Sequence, residues 1–217
     1  MYMVLLGPPG AGKGTQAKRI EEKYHIAQIS TGDIIRLAIQ NKSEWGKKAE
    51  EYVRSGELVP DEVVIGIIRE RLSQNTYQNG FILDGFPRNL KQAEALSQLL
   101  KDLGIQLNLV LYFDVDRDEV IERLSARRIC ENCQTPYNMV SKPPKNDEIC
   151  DVCQGRVIQR TDDQPEVIKS RLDTYEQQTK PLIDYYRSLG ILKVVVSKGT
   201  IDEVFQQVQK VLETIST

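Results

Sequence analysis

The stretch Gly7-Pro8-Pro9-Gly10-Ala11-Gly12-Lys13-Gly14-Thr15 decides the reading of this chain. It nearly matches G-x-x-x-x-G-K-[ST], a loop whose glycines let backbone N–H groups approach phosphates while the lysine reaches the terminal phosphates and the hydroxyl touches magnesium. Here glycine stands directly after the lysine, where the hydroxyl is expected. The loop follows the apolar run Tyr2 to Leu6 and precedes the amphipathic stretch Lys13 to Tyr24. That strand-then-helix context separates a phosphate site from a tight turn carrying an exposed lysine. On this reading the backbone amides of Gly10, Ala11, Gly12, Lys13, Gly14 and Thr15 hold polyphosphate together with the helix dipole. Gly14 cannot ligate magnesium, and Thr15 lies about 100° further round the helix. Another oxygen must help place the metal. Asp84, at the end of Phe81-Ile82-Leu83-Asp84, is the candidate, because strand carboxyl ends in parallel sheets face the ligand crevice. The alternative is that Asp84 only begins the turn that runs to Arg88.

Outward from the loop, short apolar strands alternate with amphipathic helices, which predicts an α/β fold with a parallel sheet covered by helices on both faces. The expected strands are Tyr2 to Leu6, Ala27 to Ile29, Phe81 to Leu83, Leu109 to Val115 and Leu192 to Val196. The expected helices are Lys13 to Tyr24, Asp61 to Leu72, Leu90 to Leu103, Asp118 to Arg127 and Ile201 to Leu212. Pro60 ahead of Asp61 and Glu62 is a good helix start, since carboxylates favour the positive end of the dipole. Two stretches break the alternation. Ser30 to Val59 is polar and reads as helical, with Ser30 or Thr31 as cap; Arg127 to Asp163 reads as loop-like and carries all four cysteines. Helix returns from Pro165 to Gly190, with a break expected at Pro181.

Composition narrows the classes. A chain of 217 residues buries one substantial core plus small insertions, and 29 basic against 31 acidic residues argue against bulk binding to nucleic acid or an anionic membrane. The N-terminus has no basic region and only a brief apolar run, and no stretch approaches the ~20 apolar residues of a membrane span. A cytoplasmic protein is expected.

The phosphate loop, Ser30-Thr31-Gly32-Asp33, Glu57-Leu58-Val59-Pro60, Asp84 to Arg88, the Arg127–Arg128 pair and Arg160 to Asp163 together resemble the adenylate kinase family of nucleoside monophosphate kinases. Glycine then threonine after the loop lysine is characteristic of that family, so the anomaly at Gly14 narrows the assignment. The resemblance implies a P-loop NTPase core over residues 1–29, 60–126 and 164–217. It also implies an acceptor-binding segment over 30–59 and a donor lid over 127–163. The implied reaction is reversible, Mg-dependent transfer from ATP to AMP giving two ADP, by a monomer. Catalytic roles fall by resemblance on Lys13, Asp84, Arg88, Arg127, Arg160 and Arg171. AMP contacts fall on Thr31, Arg36, Glu57, Leu58, Val59, Gly85, Arg88, Gln92, Arg160 and Arg171, and further ATP contacts on Arg123 and Arg127. Thr31 and Gln92 match the AMP-type pattern, a glutamine presenting both donor and acceptor to the adenine edge. Kinases of UMP or CMP are the neighbouring alternative. Asn89 departs from the threonine more common at its position.

The chemistry fits these residue types. A nucleoside monophosphate, with a second pKa of about 6, is largely dianionic at neutral pH and needs no general base. The lone histidine, His25, is therefore expected to be structural. What transfer needs is cations, and arginine forks bind phosphate oxygens bidentately. Asp162 and Asp163 can cap the following helix, and the resemblance implies that they latch the closed lid by pairing with arginines; the two roles are compatible.

Cys130-x-x-Cys133 and Cys150-x-x-Cys153 have the spacing of a structural four-thiolate zinc site. Disulfides do not suit a cytosolic chain. A zinc ribbon that binds nucleic acid is the alternative from another class, but the segment between the knuckles is not strongly basic. The pattern resembles the zinc-stapled lid of bacterial adenylate kinases. Tyr137, within it, either contacts the donor nucleotide or fills the small core; Trp45, Tyr185 and Tyr186 read as packing groups.

Overall fold

Alternation along the first strand assigns both faces of the sheet. In β1 (Tyr2–Leu6), Val4 and Leu6 pack into one core and Met3 and Leu5 into another. Both sets are buried, as a parallel strand covered on two sides requires. The computed structural model describes residues 1–73, 77 and 79–215.

The other sheet strands are β2 (Ala27–Ser30), β3 (Phe81–Asp84), β4 (Leu109–Asp114) and a late strand, Leu192–Val196, that becomes β8 in chain order. All pairings are parallel, in the order β2-β3-β1-β4-β8. On one face lie α1 (Lys13–Tyr24) and the last helix, α9 (Ile201–Glu213), which contribute Ala17, Ile20, Val204, Val208 and Leu212. On the other lie α4 (Asp61–Leu72), α5 (Leu90–Asp102) and α8 (Leu182–Ser188), which contribute Ile68, Leu96 and Tyr186. The crossing of β3 to β4 past β1 makes a switch point at the strand carboxyl ends, where a ligand crevice opens.

The polar stretch after β2 is two helices, α2 (Thr31–Gln40) and α3 (Glu44–Ser55), rather than one. Ser30 caps the first and Ser43 the second through their hydroxyls. α6 (Arg117–Ser125) stops short of the expected Arg127, because Ala126 O accepts Met139 N–H and Arg127 opens a strand. That strand, β5 (Arg127–Cys130), pairs antiparallel with β6 (Pro136–Asn138) and β7 (Val157–Ile158), so the loop-like expectation for this insertion is corrected to a small sheet. After α7 (Pro165–Thr174) the helix loosens to a π turn over Tyr175–Thr179, ahead of Pro181. The Lys180 N–H reaches Tyr175 O, five residues back, at 2.9 Å. Pro181 has no N–H with which to continue the ladder.

Candidate functional site

The phosphate loop leaves β1 and enters α1 through backbone that only glycine adopts easily. Gly10 has φ +83°, and a Cβ there would stand 2.9 Å from Leu124 Cγ. Lys13 folds back over the loop, its Nζ donating to the carbonyls of Gly7 (2.7 Å) and Pro8 (2.8 Å). Burial lowers its ammonium to about 8; Asp84 opposes the shift, while Arg88, Arg171 and Arg127 add to it. The loop lysine is thus within the field of Asp84 and of three arginines that arrive from the loop after β3, from β5 and from α7.

Gly14 now has a steric explanation. A Cβ at this position would lie 3.2 Å from Asp84 Oδ2, so the absent side chain is the space the carboxylate uses. Asp84 is buried at the end of β3, its Oδ2 accepting from Gln28 Nε2 at 3.0 Å. Burial raises its carboxyl, against the opposing charges of Lys13 and Arg88. The sequence placed Asp84 and Gly14 as separate observations; here they share one contact.

A cleft opens beside this junction between α2, α3 and the end of β3. Its lining includes all ten expected acceptor residues: Thr31, Arg36, Glu57, Leu58, Val59, Gly85, Arg88, Gln92, Arg160 and Arg171. Thr31 Oγ1 donates to Gly85 O at 2.9 Å, and Arg88 Nε donates to the same carbonyl at 2.8 Å. Arg36 is paired with Asp33. Burial lowers the Arg88 guanidinium to about 10, with Arg171 adding to the shift. Asn89, which departs from threonine, caps α5 through Oδ1 to Gln92 N–H at 2.8 Å, a role threonine also fills.

Two buried carboxylates organise the remaining arginines. Asp163 accepts Arg127 through both Nε (2.7 Å) and Nη2 (2.5 Å), and Asp162 accepts Arg160 through Nε (2.8 Å) and Nη2 (2.6 Å). Arg171 Nη1 reaches Asp162 O at 2.8 Å and Asp163 Oδ1 at 3.1 Å. Burial works against the Asp162 carboxylate, yet Arg171, Arg160 and Arg127 hold it well below the usual carboxylate range. Burial also lowers Arg160 to about 9, helped by Arg127 and Arg36. Between capping the helix and pairing with arginines, the side chains of both aspartates do the second; no side chain caps α7.

Arg123 is turned to the loop before α9, donating to Ser197 O (2.7 Å), Ser197 Oγ (3.1 Å) and Glu119 (2.5 Å). Ser197 Oγ in turn donates to Ala11 O at 2.8 Å, so Arg123 braces the phosphate loop through that serine. His25 is exposed at the end of α1. In the insertion, the four Sγ atoms of Cys130, Cys133, Cys150 and Cys153 lie within 4.8 Å of one another, a group able to hold a metal ion. Each knuckle turns on a left-handed glutamine, Gln134 at φ 57° and Gln154 at φ 60°. Their N–H groups return to Cys130 O (3.1 Å) and Cys150 O (3.0 Å). Tyr137 is buried beside them, its hydroxyl donating to Cys150 Sγ at 3.3 Å.

Residues 5–191 match the family model described as adenylate kinase. The chain belongs to the adenylate kinase family. A protein from Archaeoglobus fulgidus named adenylate kinase is 52% identical over 217 residues, covering 100% of both chains. One of that name from Thermodesulfovibrio yellowstonii is 52% identical over 213 residues, 98% of this chain and 99% of its own. Another, from Oceanobacillus iheyensis, is 51% identical with the same coverage. Within this adenylate kinase framework, sequence reasoning passed over Gln28, Ser197 and Asp61. Gln28 and Ser197 carry no motif; Asp61 was visible only as a helix start, although its carboxylate meets the Gln92 amide from 31 positions away.

Proposed function

We propose that this member of the adenylate kinase family catalyses reversible transfer of the γ-phosphoryl group of ATP to AMP, giving two ADP. The observation that carries the reading is electrostatic. The loop lysine, Asp84 and the cleft arginines Arg88 and Arg171 lie within one another's fields, so a donor triphosphate on the loop and an acceptor phosphate in the cleft would meet there. The amides from Gly10 to Thr15 bind the donor phosphates and Lys13 leaves its carbonyl contacts to neutralise them. Arg36 and Arg88 grip the acceptor phosphate; Arg127, Arg160 and Arg171 take up charge spread over the transferring oxygens. No side chain need remove a proton from the acceptor. Thr31 and Gln92 read adenine. Arg123 lies beside the donor base, and Tyr137 belongs to the core of the insertion, where its hydroxyl is already engaged.

Asp84 would hold magnesium, which when bound would supply positive charge to the donor phosphates. The four cysteines would hold a structural zinc ion, since all four thiol sulfurs lie within 4.8 Å of one another and four thiolates close a zinc site. Burial opposes ionisation of Cys150, but donors from Tyr137, Cys153 and Val152 bring its thiol down to about 6; Cys153 moves the opposite way, a Gly155 backbone hydrogen bond being outweighed by Cys133 and Cys130, which raise it. Residues 30–59 and 127–163 close over acceptor and donor and exclude water. Every group needed comes from one chain, so a monomer in the cytoplasm suffices. The test follows ADP formation from MgATP with AMP, UMP, CMP, dTMP or no acceptor, with Lys13→Ala and Arg88→Ala as controls. AMP-dependent turnover lost in both variants supports the reading; equal turnover with UMP or CMP overturns the base assignment, and no transfer overturns the reaction.

A further inference from the structure

Gln92 has a side-chain orientation that its neighbours leave no choice about. Its Oε1 accepts from Arg88 N–H at 2.7 Å, and its Nε2 donates to Asp61 Oδ1 at 2.8 Å. A backbone N–H only donates and a carboxylate only accepts, so turning the amide by 180° would set donor against donor and acceptor against acceptor. Asn89 is fixed the same way, its Oδ1 on Gln92 N–H and its Nδ2 on the same Asp61 oxygen, both at 2.8 Å. Asp61 thus receives two amides on one oxygen. Gln92 is 1% exposed yet lines the acceptor cleft, and among the described residues one lone pair of Oε1 and one N–H of Nε2 have no partner.

We propose that Asp61 is a specificity-positioning residue: by fixing the flip state of Gln92, it makes the acceptor cleft accept a 6-aminopurine and reject a 6-oxopurine. This rests on the reading of Gln92 as the adenine reader. Adenine offers an N6–H donor and an N1 acceptor, which match the free Oε1 lone pair and Nε2 N–H. Hypoxanthine offers the reverse, an O6 acceptor and an N1–H donor. It would need the flipped amide, and so the loss of both hydrogen bonds that hold Gln92. A site that hydrogen-bonds its substrate rejects an analogue leaving buried groups mismatched far more strongly than a pocket selecting by shape.

The test measures kcat/KM for AMP and for IMP on the full chain, with MgATP saturating, in wild type, Asp61→Asn and Asp61→Ala. Asparagine keeps the size and can present either end to Gln92; alanine removes the partner. The AMP:IMP ratio should fall about tenfold in both variants, the worth of roughly one lost hydrogen bond to a charged group, with KM for ATP unchanged. An unchanged ratio, or AMP and IMP falling in parallel, overturns the inference, since a purely structural role lowers both acceptors alike. If wild type itself does not favour AMP over IMP, the adenine reading fails and the inference with it. Asp61→Asn retains a polar group at the first position of α4, so the ratio stays measurable even if Asp61→Ala does not fold.

Discussion

Restoring the hydroxyl that the common loop pattern places after the lysine should impair this chain. A Cβ at Gly14 would stand 3.2 Å from Asp84 Oδ2, a few tenths of an ångström inside an ordinary contact. Asp84 has little room to withdraw: β3 lies between β2 and β1, and the same oxygen accepts Gln28 Nε2 at 3.0 Å. Misplacing a reacting group by about 1 Å costs on the order of 10²-fold in rate, so a shift of about 0.3 Å is expected to cost roughly three- to tenfold. Gly14→Ala isolates this steric effect; Gly14→Ser adds a hydroxyl that bonds the carboxylate and should cost more. Stability should move the other way or not at all, because replacing a helical glycine by alanine gains up to about 1 kcal/mol. The assay is initial-rate ADP formation at saturating MgATP and AMP across a magnesium titration, with thermal unfolding run on the same proteins. Wild-type turnover by Gly14→Ala at every magnesium concentration would refute the link between Gly14 and Asp84. So would a fall in Tm that tracks the fall in rate.

The Lys13 ammonium, lowered to about 8 chiefly by burial, should impose an alkaline limb on kcat/KM for ATP: activity falls above about pH 8 as the charge is lost, and Lys13→Arg should remove the limb from the pH profile. The linked stability effect has the opposite sense, because a lysine depressed in the fold burdens it below pH 8 and that burden lifts as pH rises through 8 towards the ordinary lysine value. Removing Asp162 leaves Arg160 buried without its carboxylate partner and Arg171 with Asp163 alone, so Asp162→Ala should lose about 3 kcal/mol in urea unfolding at pH 7. Its depressed carboxyl makes the wild-type advantage full above about pH 4 and lost as pH falls below that, so the two unfolding curves should converge in acid. Chelation of the metal proposed at the four cysteines should expose residues 127–158 to proteolysis while the sheet of β1–β4 and β8 stays resistant, since among the described residues the insertion's own buried cluster is Cys130, Tyr137, Cys150 and Val157; equal resistance with and without chelator would show that no metal staples the insertion.

Most of the sheet was legible because β1, β3, β4 and β8 are short, largely apolar runs, and β1 and β8 begin and end where the pattern placed them. The small sheet of the insertion was not. Its strands have four, three and two residues, too few for alternation to register, and left-handed Gln134 and Gln154 shape it where glycine would have signalled a turn. The π turn was hidden for a different reason: Pro181 announces a break, but the relief falls several residues upstream, where helical packing allows it. At the site, the loop and the cysteines could be read because local spacing carries their chemistry. The partners that set orientation could not. Arg123 meets Ser197 74 positions away, and Arg127 meets Asp163 36 positions away, separations that no spacing rule covers.

Those distant pairs bear on how a near-neutral chain gathers so many cations without a general base. Burial lowers the ionisation of Arg160 and Arg171, and repulsion from Arg127 and Arg36 adds to it. Alone, so dense a buried group of guanidiniums would be costly to hold together. Asp162 and Asp163 offset this by taking bidentate or paired contacts from each arginine, so the forks are already aimed before any phosphate arrives. Under the proposed function, a transferring phosphoryl group with its charge spread over three oxygens would need the arginines only to share their N–H groups between carboxylate and phosphate, with no large movement of charge. It follows that replacing either aspartate by asparagine should reduce kcat more than it weakens ATP binding. On the proposed reading the carboxylates set the geometry of the transferring oxygens, whereas the loop amides and Lys13 hold the rest of the nucleotide. A variant that raised KM for ATP with kcat intact would place Asp162 and Asp163 with donor binding, and this account of the cluster would fall.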